Sequence, residues 1–138
     1  DGGITDFMRK FGTGYALYFN KKHKRQGHLF QSRFKAIHIE NDRQLNVIFN
    51  YIHTNPISLI EPNWKEKGIK NIKKVIEFLE NYKWSSYQDY IGRKNFPSVT
   101  ERNFLLEMMD GAFGCKKSVQ NWIKYKQKVS EINDLALE

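Results

Sequence analysis

The stretch Tyr51-Ile52-His53-Thr54-Asn55-Pro56 decides how this chain is read. It closes a helical pattern that opens near Asp42. Leu45, Ile48, Phe49 and Ile52 recur at i, i+3, i+4 and i+7, which makes one apolar stripe facing a core. At about 100° per residue, Gln44, Tyr51 and Asn55 form a polar line beside that stripe. A phenol and an amide four residues apart on a helix reach into one shared site. Asn41 suits the N-cap, with Gln44 at the N3 position, and Pro56 disfavours continuation. The last turn, with Tyr51 and Asn55, is therefore expected at an exposed helix end. A half-buried Tyr followed by an Asn-Pro helix stop is the alternative reading of the same residues.

With 138 residues there is room for one ordinary domain and one core. Ten Phe and a 40% hydrophobic content argue for a folded chain, and a 28% charged content argues for a soluble one. No apolar run approaches the roughly 20 residues that span a bilayer, and no signal-peptide pattern opens the chain. The expectation is a cytoplasmic protein with no membrane partner. Cys115, the single cysteine, cannot form an intrachain disulfide and reads as a structural thiol.

The net charge of +8 points to a polyanionic partner, and its distribution is more specific than its size. Between Lys21 and Lys35 stand Lys21, Lys22, Lys24, Arg25, Arg33 and Lys35 with no acidic residue, and Phe30 and Phe34 lie among them. Cations for phosphates and rings for unpaired bases are the two materials of a single-strand binding surface. The other reading is a solvated basic loop carrying two core Phe. These charges do not share one face of an amphipathic helix, which disfavours a membrane surface.

Ahead of that segment, Phe7, Phe11, Tyr15 and Tyr18 repeat at helical spacing, so a helix is expected over Thr5 to Asn20 with its aromatic stripe in a core. Gly12 and Gly14 weaken it by up to about 1 kcal/mol each relative to Ala. From Arg33 to Ile39, Phe34, Ala36 and His38 alternate with Arg33, Lys35, Ile37 and Ile39, a pattern that suits a strand. It lacks an evident partner elsewhere in the chain. After Pro56, Ile69, Ile72, Ile76 and Leu79 indicate a basic amphipathic helix whose lysines, from Lys65 to Lys74, form either a solvated face or a nucleic-acid contact. Tyr82 to Gly92 is dense in aromatics. A short helix around Phe104 to Met109 and another over Lys117 to Val129, separated by Gly111 to Gly114, are compatible with a helix-turn-helix.

Four of these stretches together resemble one family. They are Tyr18 to Lys22 (Tyr-Phe-Asn-Lys-Lys), Gly27 to Ile37 (Gly-His-Leu-Phe-Gln-Ser-Arg-Phe-Lys-Ala-Ile), Tyr51 to Pro56, and Trp84 to Tyr87 (Trp-Ser-Ser-Tyr). The family is the IS200-like single-tyrosine transposases of the paired-histidine type, especially the branch associated with repetitive extragenic palindromes. The resemblance implies an α+β fold: a partial ferredoxin-like catalytic domain over residues 1–95, with the nucleophile helix plus a strand, and a helical extension over 96–138. It implies a transesterase that cuts and rejoins single-stranded DNA beside hairpins through a 5′-phosphotyrosine. Tyr51 falls at the nucleophile, Asn55 near a divalent ion (Mg²⁺ or Mn²⁺), and Lys21, Lys22, Lys24, Arg25, His28, Phe30, Arg33 and Lys35 on the DNA-binding side. A homodimer is also implied, and an incomplete sheet with an exposed edge would favour pairing.

The chain departs from the family at the metal. No pair of histidines separated by one hydrophobic residue precedes the first helix, and His23, His28, His38 and His53 are scattered. His38-Ile39-Glu40 is a substitute ligand pair only if it forms a strand. The expectation is a chain that lacks the metal-ligand part of its catalytic fold and does not cleave DNA by itself. From another class, a noncatalytic module binding single-stranded or hairpin nucleic acid fits the same surface. RNA remains open as its ligand, since charge and rings do not read a 2′-hydroxyl.

Overall fold

The computed structural model describes residues 2–135, with side chains through residue 128. The chain divides into two compact units, one up to His38 and one from Ile39.

The first unit is built on helix α1 (Gly3–Lys22), with Asp6 in its first turn and Lys21 and Lys22 in its last, charges that complement the helix dipole. None of its residues is buried. Lys24 (φ 50°) and Gly27 (φ 89°) turn the chain through left-handed conformations, and Asn20 Nδ2 donates to Gly27 O at 2.9 Å. The segment from Gly27 to Arg33 then lines a groove with Gly12, Thr13, Ala16 and Leu17 of α1. Gly12 thus faces a groove, where a larger side chain would take up space.

The second unit contains α2 (Asp42–Thr54), a 3₁₀ turn (Asn55–Leu59), α3 (Trp64–Lys67), α4 (Ile72–Asn81), α5 (Tyr87–Tyr90), α6 (Asn103–Met108) and α7 (Gly111–Leu135). Helix α7 is its hub and packs on α2, α3, α4, α5 and α6. Cys115, Val119 and Ile123 on one face of α7 join Phe49, Ile57, Trp64, Ile69, Val75, Leu79, Tyr87, Tyr90 and Met109 in the core. Residues 96–138, expected as an extension, thus supply the central helix of this core. The Gly111–Gly114 stretch is the first turn of α7 rather than a linker. A Cβ at Gly114 would collide with the backbone carbonyl of Met109, so only glycine lets the helix start this close to α6.

Two expectations are corrected here. The first is the α+β, partial ferredoxin-like fold: every regular element among the described residues is helical, and residues 33–39 form no strand. Alternation creates two faces, but a strand also needs a neighbour for its N–H and C=O groups, and no ladder is present among the described residues to take them. The side chains from Arg33 to Ile39 are accordingly exposed. Without a strand, nothing aligns His38 and Glu40 on one face, and the sheet edge that favoured a dimer is gone.

The second correction concerns α2. Its N-terminus forms as read: Asn41 Oδ1 accepts from Gln44 N at 2.9 Å, and Gln44 Oε1 accepts from Glu40 N at 2.9 Å. Its buried face, however, carries Phe49, Asn50, His53 and Thr54, whereas Ile52 is 55% exposed. Hydrogen bonds explain the rotation. Asn50 Nδ2 reaches Asn46 Oδ1 (2.6 Å) and Ser118 Oγ (2.9 Å) on α7, and Thr54 Oγ1 donates to Asn50 O (2.7 Å). Satisfied polar groups can occupy a core, and the α2–α7 contact is made through them.

Candidate nucleic-acid and tyrosine site

Helix α2 sorts its motif residues by direction. His53 and Thr54 point into the core, and Tyr51 and Asn55 point to solvent, with Tyr51 52% exposed. His53 Nδ1 stands 2.8 Å from Phe49 O, which can only accept, so this nitrogen carries the hydrogen. Nε2 then accepts from Ser86 Oγ at 3.1 Å. Burial pushes the His53 pKa from 6.5 down to about 4, with the Phe49 hydrogen bond opposing, so the ring is neutral at pH 7. Its role is structural: it joins the Tyr51–Pro56 stretch to the Trp84–Tyr87 stretch, two motifs that are distant in sequence.

Beside Tyr51 lies a residue that sequence reasoning did not connect with it. The 3₁₀ turn after Asn55 carries Ser58, whose Oγ accepts from Trp64 Nε1 at 3.1 Å, and Trp64 is buried. That anchor fixes the single turn of α3 and places Lys65 Nζ 5.2 Å from the Tyr51 ring centroid and 5.9 Å from that of Trp64. In the sequence, Lys65 is one of five lysines on an expected helix. The signal that separates it from the others is its position directly after Trp64, before Gly68 (φ 70°) breaks the helix. Tyr87 and Tyr90, by contrast, sit in the core, where burial raises the pKa of both phenols.

The metal expectation meets a poor donor set. Among the described residues no three His, Cys, Asp or Glu side chains gather at one point. His53, the histidine nearest Tyr51 in sequence, is committed to Phe49 and Ser86. Asn55 offers one neutral oxygen, whereas a hard divalent ion takes about six oxygen ligands. Among the described residues, Asn55 by itself does not make up such a ligand set.

The first unit holds the basic segment. Lys21, Lys22, Lys24, Arg25, His28, Phe30, Arg33 and Lys35 are all exposed. Rings lie among them: Tyr15 and Phe30 are 6.2 Å apart, the Arg25 guanidinium is 5.8 Å from the Phe19 centroid, and Lys22 Nζ bonds Tyr18 Oη at 3.2 Å. The groove along α1, about 790 Å³, includes His28, Phe30 and Arg33 in its lining. Asn20 Oδ1, a further member of that lining, is buried without a hydrogen-bond partner. The aromatic stripe expected in a core is instead on the surface, with Phe7 60% exposed. Among the described residues no helix is long and apolar enough to cross a membrane.

Comparison of the chain with family models, with curated proteins and with solved structures yields no match.

Proposed function

We propose that this chain binds single-stranded DNA containing hairpins and carries, in Tyr51, the nucleophile of a single-tyrosine DNA transesterase of the cytoplasm. The observation that supports this most is an exposed phenol with a cation, Lys65 Nζ, 5.2 Å from its ring centroid. In the reaction the Tyr51 oxygen bonds to phosphorus and the bond from phosphorus to the 3′ oxygen breaks. The phenol proton passes to water, and the departing oxygen takes a proton back. One phosphodiester replaces another, so reversal by a DNA 3′-hydroxyl rejoins the strand without ATP. Lys65 opposes the charge that builds on the phosphate oxygens, a role worth about 10²–10³ in rate for a well-placed donor. A divalent ion would add further charge on those oxygens, with Asn55 as its candidate ligand among the described residues. A homodimer is part of the proposal and rests on the resemblance alone.

The second reading, a noncatalytic module for single-stranded or hairpin nucleic acid, is favoured by the first unit, where exposed rings and cations lie together. One substrate separates the two. In a hairpin oligonucleotide pool with a 3′-bridging phosphorothiolate, the leaving group is a thiolate, a far weaker base than the alkoxide it replaces, and it departs with less metal assistance. The transesterase reading expects this chain by itself to leave an ordinary phosphodiester uncut and to form a covalent adduct on Tyr51 with the phosphorothiolate, lost in Tyr51→Phe with binding unchanged. An adduct that survives Tyr51→Phe overturns it. Binding without any adduct leaves the module.

A further inference from the structure

Trp84 is 74% exposed, yet the backbone around it is tightly fastened. Asn95 Nδ2 donates to the carbonyls on both sides of it, Lys83 O at 2.7 Å and Ser85 O at 3.1 Å. The backbone N–H groups of Asn95 and Phe96 donate to the two oxygens of the buried Asp89 carboxylate, at 2.9 and 3.0 Å. Ser86, two residues on, is held by His53. A large ring in water gains little of the burial that usually rewards an aromatic residue. Here a rigid frame holds such a ring outward, an arrangement suited to meeting a ligand without an ordering cost.

The surroundings of the ring define that ligand. Phe96 lies nearly parallel to the indole, 18° between planes and 6.2 Å between centroids, and Lys83 Nζ stands 5.3 Å from the indole centroid. Both rings line a cleft of about 230 Å³, smaller than the roughly 300–1,000 Å³ of sites for drug-sized molecules. It suits one flat ring system. Trp84 and Lys83 also line a second cleft of about 530 Å³ with Lys74 and Phe78, so the indole is a wall common to two neighbouring clefts. Along that second cleft the ammonium groups of Lys74 and Lys83 outnumber the one carboxylate, Glu77, which favours an anionic ligand.

We propose that Trp84, Phe96 and Lys83 form a stacking subsite for one unpaired base of a single strand, with Lys83 on its phosphate. Recognition is of the ring face. The polar side chains of the cleft are already engaged: Ser85 with the Tyr87 backbone, Ser86 with His53, Asp89 with the Asn95 and Phe96 backbone, Thr100 with Arg102. Binding is therefore tolerant of base identity, since every base has a π-face. The subsite rests on the single-strand reading above and makes no use of Tyr51 chemistry.

The test titrates the full chain with a labelled ten-nucleotide oligothymidylate and its oligodeoxyadenylate counterpart. Trp84→Ala is expected to bind both about five- to a hundredfold more weakly, the range that loss of one base–aromatic stack gives. Tryptophan emission should be quenched on binding in the parent and quenched less in Trp84→Phe, which keeps Trp64 and Trp122 as emitters, a stacking ring and most of the affinity. Unchanged affinity in Trp84→Ala, with the parent binding normally, overturns the subsite and leaves the single-strand reading standing. Quenching of equal amplitude in the parent and in Trp84→Phe also overturns the subsite. A parent that binds neither strand overturns both. A matching urea midpoint for Trp84→Ala excludes misfolding as the cause of a loss.

Discussion

Helices α1 and α7 both carry an apolar repeat at helical spacing, and the structure uses them in opposite ways. On α7, Cys115, Val119 and Ile123 are essentially inaccessible and hold five other helices. On α1, Phe7, Phe11 and Tyr15 stack on one another with centroids 5.9 and 6.4 Å apart, and none is buried. Periodicity states which residues share a face. Whether that face is covered depends on what else the chain can bring to it, and the first unit offers only a short returning loop. Exposed rings interleaved with cations are poor material for a core and good material for a single strand.

The sharpest way to break this contrast is to cut into the two helices separately. Ile123→Ala should destabilise the second unit by about 2–5 kcal/mol in urea unfolding, because the cavity is fully enclosed. Phe11→Ala in α1 should shift the same transition by no more than about 0.5 kcal/mol, the usual range for a surface site. Comparable losses would mean that α1 has a buried partner in solution.

A somewhat smaller effect is expected from acid. The His53 pKa lies near 4 in the folded chain against 6.5 unfolded, so the unfolded chain binds the extra proton between those values. Stability is therefore complete above about pH 6.5 and declines as the pH falls toward 4, by at most about 3 kcal/mol. Urea midpoints from pH 7 to 4 should fall in the parent and fall less steeply in His53→Gln. Equal slopes would remove His53 from the account.

The smallest stability effect belongs to the first unit, where the functional effect is large. Replacing Lys21, Lys22, Lys24 and Arg25 with Ser should leave the unfolding midpoint within about 0.5 kcal/mol. For every cation that no longer neutralises a phosphate, the slope of log affinity for hairpin DNA against log salt should become shallower by about 0.7 on the single strand and about 0.9 on the stem. An unchanged slope would make the segment a solvated loop. Lys65→Met, in the second unit, should slow adduct formation on the phosphorothiolate by about 10²–10³ while hairpin affinity persists, and Lys65→Arg should restore part of the rate. Equal rates in parent and Lys65→Met would separate this cation from the chemistry.

Local chemistry was legible in the sequence because it involves neighbours along the chain. The Asn41 cap with Gln44, the helical repeat of α1 and the direction of Tyr51 and Asn55 relative to each other follow from spacing and capping preference, with no distant partner required. The basic run from Lys21 to Lys35 and its lack of acidic residues are likewise properties of the chain itself. Tertiary structure decided the rest. An alternating segment at 33–39 became exposed chain because a strand is a relation between two segments. The buried face of α2 was set by Ser118 and Ser86, 68 residues from Asn50 and 33 from His53, which let polar side chains displace Ile52 from the interior. The placement of Lys65 over Tyr51 and the clamp of Asn95 on either side of Trp84 also depend on residues brought together only by folding. Hydrogen bonds between distant groups have no sequence period, and for that reason the sequence could indicate which residues carry chemistry without indicating which of them meet.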